Sequence, residues 1–210
     1  MVTLADLGFN KNMIYETIVC TYNPNGTPNA APMGAITHDF QQINLTIYNS
    51  TTTLKNMQTN KFATLNITDN IDIFFQTALK DSMLPNDWFK KSYKINAPQL
   101  KLANATIAVT IQDFSPLDNQ RTKVTTNIQH ITATKKYAQS YCRAKTAVLE
   151  ALIHTTRIKA LNNIKKEQEH VTKLVNLIQT CNEIVNCSAP NSHYTKLMSN
   201  LQKKIETWRI

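Results

Sequence analysis

Over the first 130 residues the apolar positions follow the period of β-strands, and after that they follow the period of helices. Met13 to Tyr22 is rich in β-branched and aromatic residues and stops at Asn23-Pro24-Asn25-Gly26, a turn signal. Asn25-Gly26 can supply the positive φ angles of a tight hairpin. The pattern predicts a second strand over Asn29–Thr37 and a third over Ile43–Tyr48. A short helix is expected from Thr51 to Asn60, capped by Ser50, Thr51 or Thr53, whose hydroxyls accept bonds from the first free N–H groups. Phe62–Ile67 alternates as a strand, and Asp69 or Asn70 can cap a helix over Ile71–Leu79. Lys80 to Asn104 carries Pro85 and Pro98 and is expected to be irregular. Ala105–Phe114 and Arg121–Ile131 alternate well and predict a late hairpin around Ser115-Pro116-Leu117-Asp118.

The character changes near residue 133. From Lys135 onward there is one proline and no glycine. Apolar residues recur at helical spacing at Ala144, Val148 and Leu152, then Val171, Leu174, Val175 and Ile178, then Tyr194, Leu197, Met198, Leu201, Ile205 and Trp208. Ser188 to Ser192 separates the last two helices. The expected organisation is a β-barrel domain over 1–132 and a helical domain of about three helices over 133–210. These helices can close a small bundle or lay an apolar face on the barrel, and their stripes read as core.

Composition changes little in this picture. At 42% hydrophobic and 18% charged, the chain can bury a core and is not a disordered polyelectrolyte. No apolar run is long enough to span a bilayer, and the start lacks a signal-peptide pattern, so a cytoplasmic location is expected. The net charge of +9 is lopsided: +1 over residues 1–128 and +8 over 129–210. Such a surface can attract a polyanion, but the basic residues are scattered and few aromatics lie between them, so a solvated helical face is preferred to a nucleic-acid surface. Cys20, Cys142, Cys181 and Cys187 form no paired motif and read as free buried thiols. Cys181, Cys187 and His193 are six residues apart, a spacing that matches no compact zinc knuckle, and no metal site is assigned.

Candidate chemistry is sparse. There is no nucleophile elbow, Walker loop, dinucleotide fingerprint or zinc-protease helix, and three glycines leave little room for a phosphate-cradling loop. No carboxylate pair stands out, Glu16 reads as structural, and no catalytic residue is assigned. One anomaly is the second strand, where Asn29-Ala30-Ala31-Pro32-Met33-Gly34 puts small residues and a proline in a strand expected to be central. Proline cannot donate a ladder bond. The segment is either a barrel corner or a ledge where a flat ligand meets the backbone. The other anomaly is Tyr48 to Asn56, where hydroxyls crowd a helix start that either simply caps itself or receives an anion such as phosphate. A ledge for a ring beside a seat for a phosphate suits flavin mononucleotide (FMN) better than either feature suits another ligand.

Gly8-Phe9, Tyr15 to Val19, Pro28 to Gly34, Asn66 to Asp69, Arg143-Ala144 and Ala147 to Arg157 together resemble a largely archaeal family of uncharacterised proteins. The resemblance runs from residue 4 to about 160 and implies an α+β protein: a flavin reductase-like, FMN-binding split β-barrel, followed here by a C-terminal helical bundle. It implies a homodimer with the flavin at the subunit interface, Asn29, Ala30, Ala31, Pro32 and Met33 lining it. The family's phosphate segment falls on Tyr48, Ser50, Thr51, Thr53 and Asn56. A usual glycine is replaced by Ser50 and an often basic position by Thr52, so another cation is expected near the phosphate, with Arg121 and Arg143 as candidates. Arg143 is as readily a structural tie. The implied activity is that of an FMN-dependent oxidoreductase of unknown substrate, fed by a nicotinamide or a reduced deazaflavin. A protein that stores or delivers flavin without turnover is the alternative, and a nucleic-acid module with a basic tail comes last.

Overall fold

The computed structural model describes the chain except residues 1, 10, 12, 13, 81–83, 135–142, 162, 209 and 210, and the side chains of residues 143 and 188. The start of the expected first strand at Met13, and Cys142, lie outside the described residues. Among those described, no helix is long and apolar enough to cross a membrane.

The first compact unit takes in Met1–Asn70 and Lys80–Tyr137. Its strands are β1 (Ile14–Tyr22), β2 (Pro28–Ile36), β3 (Gln42–Tyr48), β4 (Phe62–Ile67), the short β5 (Phe89–Lys91) and β6 (Pro98–Leu100), β7 (Ala105–Pro116) and β8 (Arg121–Ala133). Six of them close a barrel in the order β1-β2-β3-β8-β7-β4, every recorded pairing antiparallel. Val19, Ala35, Ile43, Leu45, Ile47, Leu65, Ile107, Val109 and Val124 fill it. Helix α1 (Thr52–Asn60) turns Leu54 and Met57 into the same cluster, so a single apolar core joins the sheet and the helix.

The first hairpin departs from the expected tight turn. Only Gly26 takes a positive φ, at 80°, and its N–H closes a turn onto the Asn23 carbonyl at 2.9 Å. Asn25 keeps a negative φ, and its side chain accepts from the Thr27 N–H and hydroxyl. Nor is the stretch after residue 80 wholly irregular, because β5 and β6 pair as a small hairpin. Buried polar side chains fix it to the barrel: the Thr64 hydroxyl donates to the Pro98 carbonyl at 2.6 Å, and Leu100 N–H donates to Asn66 Oδ1 at 3.0 Å. Asn66 Nδ2 also donates to the Ile18 carbonyl, which makes this residue a strut. Pattern reasoning missed the hairpin because its register is set by these long-range bonds and not by alternation.

The second unit groups Ile71–Leu79 with Ala138–Ile210. It holds α2 (Ile71–Leu79), α3 (Arg143–Leu161), α4 (Gln168–Ser188) and α5 (His193–Trp208). The expected stripes are its core: Ala144, Val148, Leu152, Val171, Leu174, Ile178, Leu197, Met198, Leu201 and Ile205 are all buried. Helix α2 adds Ile71, Ile73 and Phe74, so the bundle borrows an element from the middle of the barrel sequence. Its Asp72 is bonded to His193 at the start of α5.

Candidate functional site

Strand β2 is paired along its whole length with β1, but with β3 it shares only Ala35–Leu45 and Ile36–Asn44. From Pro28 to Gly34 it therefore has one neighbour, and the strand expected to be central is an open edge there. Pro32 stands opposite Ile18 and has no N–H, so that pair cannot exchange hydrogen bonds. The next pair, Thr17 and Met33, is the bonded one, and the Thr17 hydroxyl adds a bond to the Met33 carbonyl at 3.0 Å. By this alternation the Pro32 carbonyl and the Gly34 N–H face away from β1, along the open edge. Ala31, Pro32, Met33 and Gly34 are half-buried, Asn29 and Ala30 are buried, and Met33 packs on the barrel core. What this strand can offer a ligand is its backbone. A Cβ at Gly34 would come within 2.7 Å of Ile14 Cγ2, so a larger residue there requires that exposed side chain to shift.

Helix α1 starts beside this edge. Thr51 is its N-cap, with extended backbone, and its hydroxyl accepts from Leu54 N–H at 3.3 Å and donates to the Tyr48 carbonyl at 2.9 Å. Capping thus occupies Thr51, while the N–H groups of Thr52 and Thr53 have no partner inside the helix. Ser50 and Thr52 are exposed, and Tyr48 is open to solvent as well. The remaining polar residues of the segment are turned inward. Asn29 Nδ2 donates to Thr53 Oγ1 at 3.0 Å and to Thr21 Oγ1 at 3.2 Å. Asn56 Nδ2 donates to Thr21 Oγ1 at 3.0 Å and to Asn23 Oδ1 at 2.9 Å. Asn29, Thr53 and Asn56 are all buried. They form a polar web that joins α1 to the β1–β2 hairpin and fixes where the helix start lies relative to the open edge.

Of the two expected cations, Arg121 is engaged by a neighbouring carboxylate. Arg121 directs Nε and Nη2 to Asp118 Oδ2 at 2.8 and 2.6 Å across the β7–β8 turn. That bond raises the guanidinium's pKa and lowers that of the carboxyl, so the charge is already matched. The Arg143 side chain lies outside the described residues. The cation found here is Lys80, whose Nζ donates to Asn29 Oδ1 at 2.6 Å. The residue is exposed, yet partial desolvation of its ammonium pushes its pKa below the usual lysine value. No sequence signal marked it, because 51 positions separate it from Asn29 and it sits just beyond a helix of the other unit.

Glu16 stands opposite Gly34 across the β1–β2 ladder, and its Oε1 would lie 3.9 Å from a Cβ at that position. Cys20 is fully buried, and burial drives its thiol pKa well above the ordinary range, so it is inert. Cys181 is buried and Cys187 exposed, which corrects the expectation that all the thiols are buried. Among the described residues no cluster of His, Cys, Asp or Glu can hold a metal ion. A hollow of about 350 Å³ adjoins the start of β2, lined by Tyr22, Pro28, Phe89, Pro98, Lys90 and Lys91 among others.

Residues 15–135 match the family described as "Protein of unknown function (DUF447) N-terminal domain". Among solved structures, the chain is similar to the FMN-bound protein MM1853 of Methanosarcina mazei, also a DUF447 protein. The identity is 20% and the TM-score 0.78, over 95% of this chain and 98% of that one. It is also similar to the flavoredoxin of Desulfovibrio vulgaris (Miyazaki F), at 13% identity and TM-score 0.51 over 61% and 75% of the two chains. A flavin reductase-like protein with a split-barrel domain from Shewanella frigidimarina gives 16% identity and TM-score 0.50 over 67% and 78%. The fold is that of the flavin reductase-like split barrels, with helices appended.

Proposed function

Since the chain belongs to the DUF447 family, we propose that it binds FMN at the open edge of β2 and serves as a flavin-dependent oxidoreductase of the flavin reductase-like kind. The observation that carries this reading is the unpaired stretch Pro28–Gly34 held next to the start of α1. The residues present fit the group. The Gly34 N–H and the Pro32 carbonyl give a donor and an acceptor along one line, which complements the alternating carbonyls and N–H on the rim of an isoalloxazine. Proline and small side chains let a flat ring approach the strand. The open N–H groups of Thr52 and Thr53, with the Ser50 and Thr52 hydroxyls, suit a phosphate at a helix N-terminus. FMN bound by MM1853, a protein of the same family and fold, supports the assignment.

When bound, the flavin supplies the hydride or electron chemistry, and the chain's part is to hold and orient it. The strand backbone orients the ring, the α1 start anchors the phosphate, and the buried web of Asn29, Thr53 and Asn56 keeps the two anchors in register. The proposal includes a homodimer with the flavin at its interface, a nicotinamide or deazaflavin as reductant, and a cytoplasmic setting. Purified protein should be yellow, or become so with added FMN, and the bound flavin should bleach with NADH, NADPH or a reduced deazaflavin under anaerobic conditions. A colourless protein that takes up no FMN refutes the reading. Bound flavin that none of these donors reduces replaces turnover with storage or delivery.

A further inference from the structure

Lys80 is a lysine whose charge no carboxylate matches among the described residues. Its one recorded contact is the neutral Asn29 Oδ1, a single acceptor for an ammonium with three N–H donors. Asn29 passes on to Thr53, the second residue of α1, so the ammonium is two hydrogen bonds from the helix start. Thr52, where the resembling family often carries a basic residue, is uncharged, and Arg121 is taken by Asp118. A dianionic phosphate at a helix start with no cation beside it would be held only by partial charges.

We propose that Lys80 is the phosphate-end cation of the flavin site, positioned by Asn29, and that it makes the site select flavins bearing a phosphate over those without one. The proposal rests on the flavin reading above. A mobile lysine in solvent would add little. This one, although its side chain is exposed, is held by Asn29 beside the β2–α1 junction, so it loses less freedom when it meets a phosphate. The arrangement also explains the buried position of Asn29, whose amide donates to two hydroxyls while its carbonyl oxygen holds the lysine.

The test is flavin binding by fluorescence quenching, with FMN and with riboflavin, for the parent protein, Lys80→Met and Lys80→Arg. The parent is expected to prefer FMN. Lys80→Met should weaken FMN roughly tenfold to a hundredfold, the loss of one charge-assisted contact, and leave riboflavin within about twofold. Lys80→Arg should recover most of the FMN preference. Unchanged riboflavin binding shows that the Met variant is folded. Equal losses for FMN and riboflavin, or FMN binding by Lys80→Met equal to that of the parent, overturn the assignment of Lys80. A parent that binds both flavins equally well also overturns it and leaves the flavin reading standing. A parent that binds neither flavin refutes that reading, and this proposal with it.

Discussion

Asn56 separates two meanings of a site residue. It lies in the segment that resembles a phosphate-binding motif, yet it is buried and both its amide bonds go to the protein. Asn56→Ala removes donors to Thr21 Oγ1 and Asn23 Oδ1. Thr21 retains Asn29, and Asn23, whose Nδ2 donates to Thr27, is only half-buried, so water can reach the Oδ1 that Asn56 leaves. The cost is then close to two ordinary bonds, about 2 kcal/mol in all. For a chain of this size that lowers Tm by roughly 4–8 °C. Circular dichroism melts give Tm, and FMN titration well below the melt gives affinity, expected to change by less than about threefold. The cycle with Thr21→Val should show a coupling of about 0.5–1.5 kcal/mol, since the pair is in direct contact. A variant that melts like the parent but loses FMN more than tenfold would make Asn56 a ligand contact and refute its role as a strut.

Four further outcomes follow from the same geometry. Arg121→Ala should leave FMN affinity within about twofold, because its guanidinium is engaged by Asp118; a tenfold loss in the titration would return it to the phosphate. Pro32→Ala costs only about 0.5–1 kcal/mol, because no bond to β1 is lost there. It places a new N–H on the open edge, and light scattering should show more self-association than the parent does. In a Cys142→Ser background, a thiol reagent should modify Cys187 rapidly and spare Cys20 until the protein unfolds, with mass spectrometry reading the sites. Lys80 has a folded-state pKa below its unfolded one, so between the two values the unfolded chain holds more protons and this group's contribution to stability rises with pH. Lys80→Met should therefore flatten the rise of the flavin-free protein's melting temperature towards pH 10, while at neutral pH the loss of its bond to the buried Asn29 offsets the relief of removing the charge.

The sequence by itself determined the barrel strands and the helices, though not the β5–β6 hairpin, and the two-part character of the chain. Alternation over Phe62–Ile67 and the period of Ile71–Leu79 matched the observed elements to the residue. The hydroxyl run marked a helix start and offered Ser50, Thr51 or Thr53 as its cap, of which the structure uses Thr51, because capping is a contact between near neighbours. It also marked β2 as unusual, since a proline in a strand conflicts with the ladder wherever it occurs. Only the tertiary structure decided what the anomaly was. The open edge exists because β3 meets β2 at two residues and then continues along β8, a choice of register that no local pattern contains. Thr53 and Asn56 read as equals of Ser50 in sequence, and Asn29 as part of the ring ledge. Burial sorted them into supports and surface groups, and burial depends on which element covers which. Lys80 had no sequence signal at all, because its role comes from an approach across 51 positions to a side chain that is itself held by a helix.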